Sequence, residues 1–336
     1  MTLVIAGYIE DTFHSEFDEA INEFKVEFGV EIKEEEEKFR KSSKNFGKHR
    51  DGIFVISDSM ITTPSYTHRR PLVTGFKKNV EIEIKIKNPS IGNDGYFRDY
   101  NQYYIRYECL LSFAGSTLVA QHIINSVSNH LSDLKLDYEY NKESISEPKI
   151  RMPCESVNFE SNPNDIYDED FFGFNDSDLN KATSNEIISE IVKHSINRSI
   201  KSAQKYRLDS NSILQMKTDF ILLLRNPITG EESIYKYTMK NKNGADGIVT
   251  VYVDKELIPH NKIAVIGMTN QFEEKAKKIA ENAIKNGASL MEEMTEFMKN
   301  AILEVEKNGS FEIGFPIAIK KLNNKGLERE IIQSIS

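Results

Sequence analysis

Four positions could do chemistry together if the fold gathers them: Thr2, Asp58, the pair Lys77–Lys78, and Gly115. Removal of Met1 would leave Thr2 with a hydroxyl and a free α-amine on one residue. A hydroxyl is a weak nucleophile near neutrality and needs a base. An α-amine titrates at about 7.7–8.0, so it can take and return a proton in that range. A nearby ammonium lowers the amine pKa further, because like charges disfavour the protonated form. A Lys beside Thr2, itself fixed by an Asp, would therefore complete a proton-transfer site. Asp58 ends the apolar run "GIFVISD", Lys77 and Lys78 precede the strand "NVEIEIKIKN", and Gly115 ends "YYIRYECLLSFAG" where a helix begins. A backbone N–H at such a turn can stabilise a developing oxyanion.

The elements that must position these residues follow from periodicity. Residues 2–8 and 52–58 read as short buried strands rich in Val and Ile, and 79–88 and 103–115 as near-alternating strands joined by a Gly/Asn/Asp turn. A helix is predicted from Ser116, with Leu118, Val119, Ile123, Val127 and Leu131 on one face. A second runs through "SNEIISEIVKHSINRSIKSAQK", with a start signal in Ser184, Glu186 and Ile187. Strands are expected at 213–225, 233–240, 247–253 and 262–267, then two amphipathic helices split by Gly287, then a closing strand in "SFEIGFPIAIKK". The charged stretch 12–50 and the acidic polar stretch 136–178 read as insertions; within the latter, "ESNPNDIYDEDFFGFNDSD" reads as a solvated acidic loop whose aromatic residues dock on the fold. Strands, two helices, strands, two helices and a strand fit an α+β chain folded as a four-layer αββα sandwich, one domain over 1–336.

Composition sets outer bounds. The chain has 336 residues, of which 39% are hydrophobic, and a net charge of -9. That charge argues against nucleic acid and anionic membranes as partners. Two cysteines, Cys109 and Cys154, make a disulfide framework implausible. The start lacks a cationic segment followed by an apolar stretch, and no 18-residue apolar run occurs, so a cytoplasmic location is expected. No metal or other cofactor is expected. The acidic loop lacks calcium-loop spacing, "NGADG" at 243–247 is a hairpin turn without the phosphate-loop Lys, and His122 and His194 have no second ligand one helical turn on. By its strand pattern, Cys109 reads as an inert core thiol.

The set resembles the β subunits of the proteasome core and their bacterial relatives, the N-terminal-nucleophile hydrolases. The residues that carry the likeness are Thr2, Asp51–Gly52, "SDSMIT" with Asp58 and Thr62, Lys77–Lys78, Ala114–Gly115, and Ala120–Gln121. The resemblance implies Thr2 as nucleophile and base, Asp58 and Lys78 as its charge partners, and Gly115 as the oxyanion N–H. It also implies that Thr62 holds a peptide as an added strand, that Phe113 floors the first side-chain pocket, and that Ile61 walls it. Later motifs depart from the family: "GMTN" puts Met268 where a serine usually stands beside the nucleophile. "EKNGSFEIG" leaves Ser310 at a serine position with Lys307 near the expected Asp. The implied activity is cleavage of peptide bonds through an acyl-enzyme by a chain assembled in homo-oligomeric rings, with a regulatory ATPase of unknown identity. A small-amide hydrolase and a non-catalytic assembly or binding subunit that retains Met1 are the alternatives.

Overall fold

The computed structural model describes residues 2–10, 50–63, 70–142, 146–167, 176–203, 213, 215–243 and 249–334. The insertion expected at 12–50 lies almost wholly outside the described residues, as does most of the "NGADG" turn. The chain is a mixed α/β protein with two large sheets.

The smaller sheet is built from β1 (Leu3–Glu10), β2 (Arg50–Asp58), β12 (Ala264–Gly267), β13 (Ile317–Asn323) and β14 (Gly326–Ile332). Its strand order is β12-β1-β2-β13-β14. The larger is built from β5 (Asn79–Ile91), β6 (Phe97–Gly115), β7 (Leu134–Tyr140), β8 (Ser146–Arg151), β9 (Thr218–Arg225), β10 (Glu232–Asn243) and β11 (Val249–Leu257). Their order is β11-β10-β9-β6-β5-β7-β8. A separate ribbon pairs β3 (Ile61–Thr63) with β4 (Arg70–Val73). The helices are α1 (Thr117–Leu131), α2 (Asn158–Ser161), α3 (Asp176–Ala182), α4 (Asn185–Ala203), α5 (Thr269–Asn286) and α6 (Leu290–Lys307).

The apolar runs of β1 and β2 are continuous because both faces are covered. Leu3, Ile5, Phe54 and Ile56 pack with Phe272, Met294 and Met298 of α5 and α6. The alternate residues Val4, Ala6, Tyr8, Ile53 and Val55 pack with Leu110, Ala114, Ile221 and Leu223 of the larger sheet. On that sheet's other face, Cys109, Leu111, Phe113 and Leu222 meet Ile123, Val127, Ile188 and Val192 of α1 and α4. Each Val, Leu, Ile, Phe or Met among these contributes about 1.5–3 kcal/mol on burial. Tyr8 also crosses between sheets through its hydroxyl, which donates to Ile258 O (3.0 Å) and accepts from Ile234 N (3.0 Å).

Three expectations need correction. Leu118, assigned to the inner face of the first helix, is 83% exposed, and Ala120 and Ile124 fill that face instead. The stretch 136–178, expected as a polar insertion, also carries sheet and core. Leu134, Leu136 and Tyr138 alternate inward on β7, β8 extends the sheet, and Tyr138, Val157, Phe159 and Tyr167 form a small aromatic core. The closing strand starts at Ile317 rather than 310, since the residues before it run irregularly and bond the β2 end through Gly314 O and Pro316 O. Its partner β14 has no counterpart in the sequence reading.

Candidate active site

Asp58 is the centre of the site. It ends β2, is fully buried, and accepts three hydrogen bonds: from Leu3 N at 3.0 Å, from Met60 N at 3.1 Å and from Lys78 Nζ at 2.8 Å. The chain must turn after Asp58, and its carboxylate holds that turn through Met60 N, two residues on. Lys78 lies just before β5 and is 2% exposed; its ammonium also donates to Met60 O at 2.7 Å. Burial pushes the Lys78 pKa down, and the charge and hydrogen bond of Asp58 oppose that shift.

Thr2 enters on two backbone contacts. The N–H of the next residue, Leu3, is the one that Asp58 receives, and the Thr2 carbonyl accepts from Met268 N at 2.9 Å. Thr2 itself is 5% exposed. The fit is close because Leu3 pairs with Gly267 across β1 and β12. Gly267 has φ +97°, and a methyl group there would stand 1.8 Å from the Thr2 carbonyl oxygen and 3.3 Å from Ala114 Cβ. Only glycine accepts both that backbone conformation and that approach.

The same contact brings the end of β6 to Thr2. Gly115 follows Ala114, has φ +132°, and faces Thr218 across β6 and β9. A methyl on Gly115 would lie 2.2 Å from Lys217 O, so this corner also requires glycine. The backbone of Phe113 is tied to Lys78, its N–H bonding Lys78 O at 3.2 Å. Asp58 and Lys78 therefore pair beside the residue that follows Thr2, and Ala114 of the β6 end lies against Gly267, the partner of Leu3.

The remaining sequence candidates spread around this centre. Ile61 and Thr62 follow Met60 into β3, where Thr62 stands opposite Pro71 of β4. The Phe113 side chain is 3% exposed, packs in the core under α1 and α4, and meets the Phe76 ring edge-on at 6.2 Å. Cavities of about 380, 310 and 180 Å³ are lined by other residues, so none of these three opens on Phe113. Ser310 follows α6, and its N–H bonds Val305 O at 3.1 Å. The chain just beyond Ser310 reaches the site. Ser59 N bonds Gly314 O at 3.4 Å, and Ser59 Oγ donates to Pro316 O at 2.5 Å.

Sequence reasoning missed two backbone groups here, Met60 O and Met268 N. Backbone groups carry no residue signature, although the glycine before Met268 marks a close approach. Chemically, the arrangement offers a threonine backbone fixed within one residue of a buried carboxylate–ammonium pair. Among the described residues no helix is long and apolar enough to cross a membrane. No protein-family model matches the chain, and no curated protein matches it in sequence.

Proposed function

We propose that this chain is a threonine-type N-terminal-nucleophile hydrolase that cleaves peptide bonds after loss of Met1, on a four-layer αββα sandwich of the proteasome β-subunit kind. The single observation that carries the reading is the double engagement of Asp58, which holds Leu3 N and Lys78 Nζ at once. That contact puts the residue after Thr2 on the buried ion pair, as the Thr–Asp–Lys assignment requires. The layered reading draws on three clusters: one between the sheets, and one under each helix pair.

In this mechanism the Thr2 hydroxyl attacks the scissile carbonyl while the Thr2 α-amine takes its proton. The Gly115 N–H receives the oxyanion, the amine returns the proton to the leaving amide nitrogen, and the C–N bond breaks. Water then releases the acyl group from Thr2 Oγ by the reverse proton transfers. Lys78 holds positive charge near the α-amine and favours its neutral, basic form. Thr62 pairs with the substrate backbone, Ile61 and Phe113 shape the pocket for the residue before the cleaved bond, and Ser310 assists from the later loop. The setting is a cytoplasmic homo-oligomer, in keeping with two free thiols.

One observation favours the second reading, a non-catalytic assembly or binding subunit: Met268, at the position where the family has a serine, bonds the Thr2 carbonyl through its backbone N–H and buries its thioether in the core under α5 and α6. The test is intact mass, before and after an electrophilic peptide inhibitor, on protein made in a methionine-aminopeptidase-competent cytosol. The hydrolase reading expects loss of one Met and one adduct on Thr2, absent in Thr2→Ala. A retained Met1 with no adduct would support the second reading.

A further inference from the structure

A second polar group lies in the largely apolar layer between the two sheets. Ser57, Asn79 and Ser112 are 1%, 2% and 0% exposed. Ser57 precedes Asp58 on β2, Asn79 follows Lys78 at the start of β5, and Ser112 stands opposite Asn79 on β6. Asn79 Nδ2 donates to Ser57 Oγ at 3.0 Å and reaches Ala318 O of β13 at 3.5 Å. The same two segments are therefore joined twice, by the Asp58–Lys78 pair and by the residues that flank it. We propose that Asn79 Oδ1 and Ser112 Oγ bind one internal water molecule between them, and that this water, with Ser57 and Asn79, positions Lys78 against Asp58.

Two unpartnered atoms call for a ligand here. Among the described residues, Asn79 Oδ1 and Ser112 Oγ are buried and have no hydrogen-bond partner in the protein. They belong to residues directly opposite in the β5–β6 ladder, where facing Cβ atoms stand about 4.5–5.5 Å apart. Reversing the amide does not help, since Oδ1 would then face Ala318 O and Nδ2 would be the orphan. A buried polar group left unpaired forfeits more than a made hydrogen bond gains. Oδ1 can only accept, whereas a hydroxyl can donate or accept. A water molecule donating to Oδ1, and either donating to Oγ or accepting from it, satisfies both. Charged ligands are disfavoured by the surroundings. The Lys320 ammonium, bonded to Asn79 O, opposes a cation, and the lone pairs of Asn79 Oδ1 oppose an anion. Internal waters of this kind, held by two to four buried polar groups, are an ordinary part of folded proteins.

The role of the water follows from what holds the Lys78–Asn79 segment. The Lys78 carbonyl accepts from Phe113 N at 3.2 Å, the Asn79 carbonyl accepts from Lys320 Nζ, and the Asn79 side chain reaches Ser57. A water on Ser112 completes this frame from β6. Each bond removes a direction in which the segment can shift, while Lys78 Nζ must stay near its 2.8 Å distance from Asp58 Oδ2 for its charge to remain paired in the interior. Ser57, Asn79 and Ser112 act through Lys78 and are positioning residues. The water and its hold on Lys78 do not depend on the hydrolase reading; only an effect on turnover would rest on it.

The test has two readouts on the whole chain. In high-resolution crystals of the parent protein, one water is expected within about 2.6–3.2 Å of both Asn79 Oδ1 and Ser112 Oγ. In nitrogen-15 spectra of the lysine ammonium groups, followed over pH, Lys78 should hold its proton about threefold or more less tightly in Asn79→Ala and in Ser112→Ala, because a looser pair loses attraction to Asp58. Ile124→Val, a core change on α1 away from this group, should lower stability and leave the Lys78 titration as in the parent. Far-ultraviolet circular dichroism reports that each variant is folded; if one is not, the parent crystal and the other variant still decide. A direct Asn79–Ser112 bond or no water between them in the parent crystal would overturn the proposal. So would a Lys78 titration unchanged in both variants, or shifted as much in Ile124→Val.

Discussion

Replacing Asp58 by Asn keeps the size and removes the charge, which makes it a direct probe of the buried pair. Asp58 receives three donors, Leu3 N, Met60 N and Lys78 Nζ. An amide presents one acceptor atom and one donor atom, so its NH₂ group must face at least one of those donors. An orphaned buried donor costs about 1–3 kcal/mol. Lys78 would also lose its counter-charge while 2% exposed, and breaking a buried ion pair from one side costs about 3–5 kcal/mol. The larger figure is the expected loss, read as a lower urea midpoint by circular dichroism at pH 7. The pH dependence has a definite sign. Folded Lys78 already holds its proton less tightly than the ordinary value of 10.5, mainly through burial. Between the folded and unfolded values, unfolding takes up a proton, so stability rises with pH. The Asp58→Asn change removes the two influences that raise the folded value, and the proton is then lost at lower pH. The deficit of this variant should therefore shrink as pH rises from 7 toward 10. A loss under about 0.5 kcal/mol, the range of an ordinary surface change, or a deficit unchanged across that window, would refute the reasoning.

Two further outcomes are expected. Gly267→Ala forces a methyl onto the Thr2 carbonyl at a φ of +97°, so the Met268 N–Thr2 O bond should break, with about 2–4 kcal/mol lost and no electrophile adduct at Thr2. Thermal unfolding and intact mass check both. Burial pushes the Cys109 thiol up to about 12 and closes it off from solvent, whereas Cys154 is exposed. A thiol reagent should label Cys154 alone in native protein and both cysteines in urea; native labelling of Cys109 would place it outside the core.

The parts of this structure legible in the sequence are those where one local pattern had one solution. The Val/Ile runs of β1 and β2 are buried on both faces, and Gly287 stops α5 where its left-handed conformation predicts a break. Asp58 and Lys78 were legible as a pair only through the order of residues around them, since a surface Lys has the same local sequence. Tertiary context decided the rest. Leu118 satisfies the helical period yet stays exposed, on the rim of a cavity it shares with Ser199 and Ile200 of α4. β7 hides its alternation behind the charged residues Lys135, Asp137 and Glu139.

The Tyr8 hydroxyl, held by Ile234 N and Ile258 O, sits on the strand that begins beside Thr2. Six residues of extended chain separate the two, about 20 Å. Each sheet could otherwise shear over its neighbour on an apolar layer that has no directional preference. A phenol bonded at both poles acts as a dowel through that layer. It fixes how far β1 extends over the larger sheet, and with it the alignment of Thr2 against Ala114–Gly115 at the opposite end of the strand. The placement of the chain around Thr2 is thus set partly at a distance, by an oxygen that touches neither Asp58 nor Lys78.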